Sequence, residues 1–276
     1  MSQPPLSQPA DWYPDPSGRH EHRYWDGTRW TEHVASHGRQ SVDHDTSTLP
    51  PPTVNRPAEK ITRDVAKAGA AGASQGGGTL FDEPVLVVNQ KAKLIEVNSE
   101  YAIYDANGRQ LGAVRQVGQS ALKKAARLLT SYDQFMTHKL QVVDMAGNVL
   151  LGITRPAKVF KSRVLINDGL GRELGQVLQQ NVIGKINFSL EAGGQRVGSI
   201  NAENWRAWNF SIRDNTDTEV ARITKTWEGL AKTMFTTADN YVVQIQRPLE
   251  EPLRSLVVAS ALSVDTALKQ DKRGLG

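Results

Sequence analysis

The sequence predicts a mainly β fold: a closed antiparallel barrel of about twelve strands around a central C-terminal hydrophobic helix, with a small aromatic β-hairpin module ahead of it. Three observations predict it. A hairpin pattern repeats through "YAIYDANGRQLGAVRQ", "LQVVDMAGNVLLGITRP", "VLINDGLGRELGQVLQQ", "FSLEAGGQRVGSINAE" and "FSIRDNTDTEVARITKT". "PVLVVNQ" and "NYVVQIQ" flank that series as further strands. Near the end, "LRSLVVASALSVDTAL" is apolar all round over its middle, which marks a helix buried on every side. Many antiparallel strands must close or stack to hide their edges, and a barrel of that size has room for one helix.

Composition bounds the rest. Hydrophobic residues make up 39% of 276 and the net charge is +4, so a sizeable core is affordable and the chain is neither a disordered acid nor a polybase. Residues 1–57 carry a balance of −2 and residues 58–276 one of +6. A mildly basic folded part suits an anionic membrane surface; no nucleic-acid partner is expected. There is no cysteine, which excludes disulfides, thiolate metal sites, cysteine nucleophiles and palmitoylation. "MSQPPLSQPADW" shows no basic segment followed by an apolar one, so a cytoplasmic protein is expected.

Residues 11–36 are a compact Trp-rich module. "RYWDGTRWTEH" reads as a hairpin with Asp26–Gly27 at its turn, which distributes Trp12, Tyr24, Trp25 and Trp30 over its faces. These rings either form the whole core of so small a unit or line a groove for a proline-rich peptide, for which "LPPP" is a ligand available in cis. His20, His22, His33 and His37 offer zinc-ligand chemistry with nothing to enforce its geometry. Residues 37–79, rich in Pro, Gly, Ala and polar residues, read as a disordered linker, and residues 80–270 as the barrel domain.

Within the repeats, an acid opens each turn: Asp105, Asp144, Asp168, Glu191 and Asp214. Their shared position argues for turn chemistry rather than a metal array. A second glycine recurs in the outgoing strand (Gly112, Gly152, Gly175, Gly198), where a bend or close approach suits it. "GQSALKKAARLLTSY" reads as a short helix with Lys123, Lys124 and Arg127 on its polar face, either a connector packed on the barrel or a segment lying on anionic lipid. The final helix has no charge from Ser255 to Val264, about 15 Å, against a bilayer core of about 30 Å. Leu256, Val257, Val258, Ala261, Leu262, Val264 and Asp265 are therefore assigned to the barrel axis, with Asp265 where the helix reaches the mouth.

This pattern resembles the phospholipid scramblase family, whose fold is shared with the tubby C-terminal domain and the LURP-one-related proteins. The resemblance covers residues 80–270 and rests on the hairpin series, "TRP" at Thr154–Pro156, "GRELGQVLQQ" at 171–180, Lys225–Trp227, Ala238–Tyr241, Pro248, Glu250 and Asp265. It implies phospholipid binding and transbilayer lipid movement. It also implies a calcium segment, of which Asp239, Asn240 and Glu250 carry over; Thr237 and Pro252 stand where acids are expected, so the oxygen set falls short of the six to eight that calcium takes. The first 25 or so residues of the Trp-rich stretch resemble a short actinobacterial domain of unknown function, through Trp12, Pro14, Asp15, Pro16, Tyr24, Trp25, Asp26, Gly27, Trp30 and Thr31.

Two functional classes follow. One is a non-enzymatic phospholipid scramblase-like barrel, peripheral at the inner face of the plasma membrane, which holds an anionic surface through Lys123, Lys124, Arg127, Lys269, Lys272 and Arg273. The other is a soluble tubby-like scaffold without scrambling activity, whose N-terminal module binds proline-rich peptide. No Ser-His-Asp spacing, phosphate loop or metalloprotease helix supports an enzyme.

Overall fold

The computed structural model describes residues 8–27, 29–43, 49–51, 53–54, 56–74, 76–89, 99–117, 137–156, 161–181, 186–203, 209–227 and 239–271. Twelve strands form the barrel: β5 (Val85–Asn89), β6 (Ser99–Tyr104), β7 (Gln110–Gln116), β8 (His138–Asp144), β9 (Val149–Arg155), β10 (Arg163–Asp168), β11 (Glu173–Gln179), β12 (Asn187–Ala192), β13 (Gln195–Ala202), β14 (Asn209–Asp214), β15 (Glu219–Trp227) and β16 (Asp239–Ile245). Each pairs antiparallel with its neighbours in sequence, and β16 pairs with β5 to close the ring. Four earlier strands, β1 (Asp11–Pro14), β2 (His22–Trp25), β3 (Trp30–Ser36) and β4 (Arg39–Val42), make a separate antiparallel sheet.

The turn aspartates do what their shared position implies. Asp105 Oδ1 accepts the Asn107 and Arg109 amides at 2.9 Å, and Asp144, Asp168 and Asp214 accept the equivalent pairs in their own turns. Those bonds stabilise the ionised form. Despite some desolvation, the Arg172 and Leu170 contacts hold Asp168 below the usual carboxylate range. The Thr216 hydroxyl, with the Thr218 amide and Arg247, does the same for Asp214. A Cβ on Gly152 would meet only Asn167 Cβ at 3.7 Å, but Gly112 and Gly175 answer a steric demand: theirs would lie 2.2 Å from Val143 O and 2.2 Å from Glu191 O. The pairing register shifts just beside them, at Ile103/Tyr104 and Ile166/Asn167, so these glycines sit at bulges that bend the wall.

The axis is α2 (Leu253–Asp271). Leu256, Val257, Val258, Ala259, Ala261 and Leu262 are at most 3% exposed and share one core with inward residues such as Leu86, Leu140, Ile166, Phe188, Phe210 and Tyr241. Ser260 is also buried there, and its hydroxyl bonds back to the Leu256 carbonyl one turn earlier, so its polar group is satisfied within the helix.

The disordered linker expected at 37–79 is corrected. β4 completes the first sheet, and the Asp43 amide extends its pairing to Glu32 O at 2.8 Å. Beyond it, α1 (Ala58–Lys67) lies on the outside of the barrel and buries Ile61 and Val65 against Val85, Val87, Ala102, Tyr104 and Val242. β5 is buried at all five positions because its inner face meets α2 and its outer face meets α1. Leu49 and Pro51 are buried too, and Arg115 donates to Leu49 O at 3.0 Å. The "GGG" stretch is no spacer: the Gly76 and Gly78 amides grip the Glu83 carboxylate at 3.2 and 2.9 Å. A Pro- and Gly-rich composition here serves close packing on a surface rather than freedom.

Candidate functional site

Strand direction sorts the connections by rim. The five short turns, 105–109, 144–148, 168–172, 191–194 and 214–218, all lie at one end of the barrel, together with residues 79–84 and 246–252. The connections 90–98, 117–137, 156–162, 180–186, 203–208 and 228–238 all begin and end at the other. The turn rim carries ten Asp/Glu against three Lys/Arg; the connections of the opposite rim carry ten Lys/Arg against four Asp/Glu. Those connections also hold Tyr132, Phe135, Phe160, Trp205, Trp208 and Phe235. In sequence, the connections that join the strands at the two ends are thus opposite in charge.

The helix α2 starts at the turn rim, where the Arg254 amide bonds Glu250 O at 3.0 Å and its guanidinium stacks over Phe81. Nineteen residues extend about 28 Å, while seven-residue strands span about 23 Å along their own length and less along a tilted barrel axis. The C-terminal end of α2 therefore reaches the basic rim, and Lys269 with it. Lys123, Lys124, Arg127, Lys272 and Arg273 lie outside the described residues, as do the side chains of Lys269, Val264 and Asp265; the strand ends that flank residues 117–137 and the described end of α2 share one rim.

The calcium set is not brought together. Asn240 lies at the basic rim and Glu250 beyond the other end of β16, about 16 Å of strand away. The Asp239 side chain lies outside the described residues. Asn240 is fully buried and turned outward beneath α1, where its amide donates to Asp64 at 2.9 Å. Asp64 also pairs with Arg56 at 2.8 Å. Asn240 Oδ1 and the cross-strand Thr226 Oγ1 are buried without a partner among the described residues. Two neutral oxygens beside an acid already holding a guanidinium do not fit calcium, which takes six to eight oxygens. Among the described residues no group of three or more His, Asp or Glu could hold a metal ion.

Sequence reasoning missed this strap on the barrel wall. Tyr104 OH donates to Val54 O at 2.9 Å, and burial pushes its phenol up to about 12 against the pull of Arg56. Val54 N in turn donates to Gln110 at 2.8 Å. The signal was present in "VLVV" of β5, an unbroken apolar run that a one-sided strand would not need. A second missed feature lies inside the basic mouth. Gln116, Arg155, Ser162 and Gln179 continue the inward positions of their strands and are buried, which forms a polar layer at the level of the C-terminal part of α2.

In the N-terminal sheet, Arg23 is completely buried. Its guanidinium pairs with Asp15 at 2.9 Å and with Asp43, and donates to Thr31 O at 2.9 Å. Burial alone would raise the Asp15 pKa; hydrogen bonds from Arg23 and Ser17 outweigh it and lower it. Asp26–Gly27 forms the expected turn, with Gly27 at φ 93°. The aromatics separate by strand alternation. Trp12 and Tyr24 pair on one face with centroids 5.4 Å apart, while Trp30 meets Trp25 at 5.4 Å and Tyr13 at 6.2 Å on the other. The histidines stay dispersed: His20 faces Asp43 and His37 faces Glu21, each at 3.4 Å. "LPPP" is not free to reach these rings, since Leu49 and Pro51 are seated on the barrel.

Outward wall positions carry Lys139, Gln141, Arg163, Gln176 and Arg222 while apolar side chains point in, the reverse of a lipid-embedded barrel. No helix among the described residues is long and apolar enough to cross a membrane.

The family model described as Scramblase matches residues 70–268, and one described as a protein of unknown function matches residues 10–43. A phospholipid scramblase family protein of Schizosaccharomyces pombe is 23% identical over 197 residues, 65% of this chain and 51% of that protein. The chain thus spans about half the length of that relative. Altered inheritance rate of mitochondria protein 25 of Saccharomyces cerevisiae is 22% identical over 234 residues, 68% of this chain and 71% of that protein. A solved structure of an Arabidopsis thaliana protein is 17% identical with a TM-score of 0.40, covering 68% of this chain and 99% of its own. With the Scramblase model matched over well more than half of its length, the chain belongs to the scramblase family.

Proposed function

We propose that the barrel docks by its basic rim on an anionic phospholipid surface, as a peripheral protein that binds phospholipid and promotes its movement between leaflets. The opposite charge of the two rims carries this reading. It gives the molecule one end that an anionic surface attracts and one that it repels. Lys123, Lys124, Arg127, Lys269, Lys272 and Arg273 belong to the attracted end, and the tryptophans of the 203–208 connection suit the headgroup layer. An inner plasma-membrane leaflet, rich in anionic lipid, is the surface this predicts. No covalent step is assigned, and no calcium requirement.

Each basic residue near such a surface contributes about 1 kcal/mol, so K123E/K124E/R127E is expected to weaken vesicle binding by at least about 100-fold at low salt. Flotation with phosphatidylserine vesicles measures it. Arg109→Glu and Arg172→Glu, on the turn rim, are expected to leave flotation unchanged. Loss of flotation from the turn-rim pair alone, or equal flotation on neutral vesicles, sinks the reading. Lipid exchange between leaflets, followed with a quenchable fluorescent lipid with and without chelator, tests the transport step separately.

A further inference from the structure

We propose that the Tyr13–Trp25–Trp30 face of the N-terminal sheet reads extended, proline-containing peptide, and that the chain's own Gln8–Pro9–Ala10 is its resident, displaceable occupant. The Trp25 indole donates to Gln8 O at 3.3 Å and the Tyr13 hydroxyl to Pro9 O at 3.0 Å. Two aromatic donors thus hold the consecutive carbonyls of a Gln–Pro step. Such a face complements an extended proline segment, which has no N–H at proline and leaves its carbonyls exposed.

The fit of the resident is incomplete. Trp30 is 6% exposed, meets both Tyr13 and Trp25, and its indole N–H is buried with no acceptor among the described residues. A buried donor left unmatched is unfavourable, so the face can hold a ligand that supplies a third carbonyl better than one that supplies two. The occupant is itself shallow: Pro9 and Ala10 are exposed, unlike Leu49 and Pro51, which are committed to the barrel wall. The Trp12–Tyr24 pair on the opposite face contacts no such segment among the described residues, so the reader is one face and not the whole aromatic set. Arg23, buried in the same sheet between Asp15 and Asp43, keeps the face rigid without a large apolar core.

A tethered occupant acts at an effective concentration on the order of millimolar or above, so a free peptide competes poorly until the tether is removed. The test titrates two proteins, the full chain and one lacking residues 1–9, with the synthetic decapeptide MSQPPLSQPA and its all-alanine-for-proline version, reading tryptophan fluorescence. The truncated chain is expected to bind the proline peptide at least tenfold more tightly than the full chain. Tyr13→Phe and Trp25→Phe, each removing one donor and keeping a ring, are expected to weaken binding about threefold to tenfold. If truncation melts the sheet, the full chain decides: millimolar peptide must still change its fluorescence, and Pro9→Gly, which loosens the resident alone, must increase that response. Absence of saturable binding, or equal affinity for the alanine version, overturns the proposal. Neither outcome touches the lipid reading, which rests on the barrel rims.

Discussion

The N-terminal sheet and the barrel solve the same problem with opposite chemistry. The barrel is organised around α2, whose buried stretch from Ser255 to Leu262 carries no charge. The sheet is organised around a charge, Arg23, enclosed by Asp15 and Asp43. The difference follows from size. Four short strands cannot bury enough apolar surface, so directional bonds to one guanidinium replace bulk. Among its described residues the barrel has thirty-one buried apolar ones in a single cluster and no need of such a device. A directional core is expected to fail through one residue or one proton; a bulk core is expected to lose stability by degrees.

The largest test of that contrast is Arg23→Met. It leaves the buried Asp15 without its counter-charge, takes one of two arginines from Asp43, and is expected to destabilise the sheet by about 3–5 kcal/mol, enough to unfold so small a unit. The near-ultraviolet circular dichroism contributed by Trp12, Trp25 and Trp30 should be lost while the barrel keeps its melting temperature. A barrel transition that falls with it would show that the two cores are not independent. Leu256→Ala is the converse. A cavity on the axis is expected to cost about 2–5 kcal/mol and to lower the barrel melting temperature by roughly 5–15 °C, with the tryptophan signal of the sheet unchanged.

Acid separates the two cores most gently. Because Asp15 titrates below its unfolded value, the stability it contributes is complete above about pH 4 and disappears as pH falls through its depressed pKa. Arg23 then loses a buried counter-charge. In the barrel, Asp168 and Asp214 are also depressed, but they serve turns at the rim and not the core. Tryptophan fluorescence and far-ultraviolet circular dichroism followed below pH 4 should therefore report the sheet first. Simultaneous loss would contradict the contrast.

The barrel was legible in the sequence because each hairpin repeats its acid and its alternation, four of the five repeat their glycines, and the uncharged middle of α2 is too short and too serine-bearing to span a bilayer yet apolar on every side. The strap was legible only in part. Glu59 in the first turn of α1, Ile61 and Val65 one turn apart, Lys67 in the last turn and Gly69 at φ 77° are helix signals, but the surrounding Pro and Gly obscured them. What covers an outer wall is a tertiary fact that "VLVV" implies without naming the partner. Likewise Asp239, Asn240 and Glu250 read as neighbours because they are close in sequence, whereas a strand carries Asn240 and Glu250 to opposite ends. Trp12 and Tyr13 are adjacent, and the pleat puts them on opposite faces; the loss of Tyr13 from the aromatic set follows from treating the module as one patch.

The strap also sets a leash. Leu49 is pinned beside the turn of Gly147, whose added Cβ would lie 3.0 Å from the Leu49 carbonyl, and the sheet ends at Asp43. Six peptide steps reach at most about 22 Å. The sheet is therefore tethered at the acidic pole, within about 22 Å of Leu49. Under the proposed docking of the basic pole on lipid, that mooring point is the end of the barrel turned away from the bilayer.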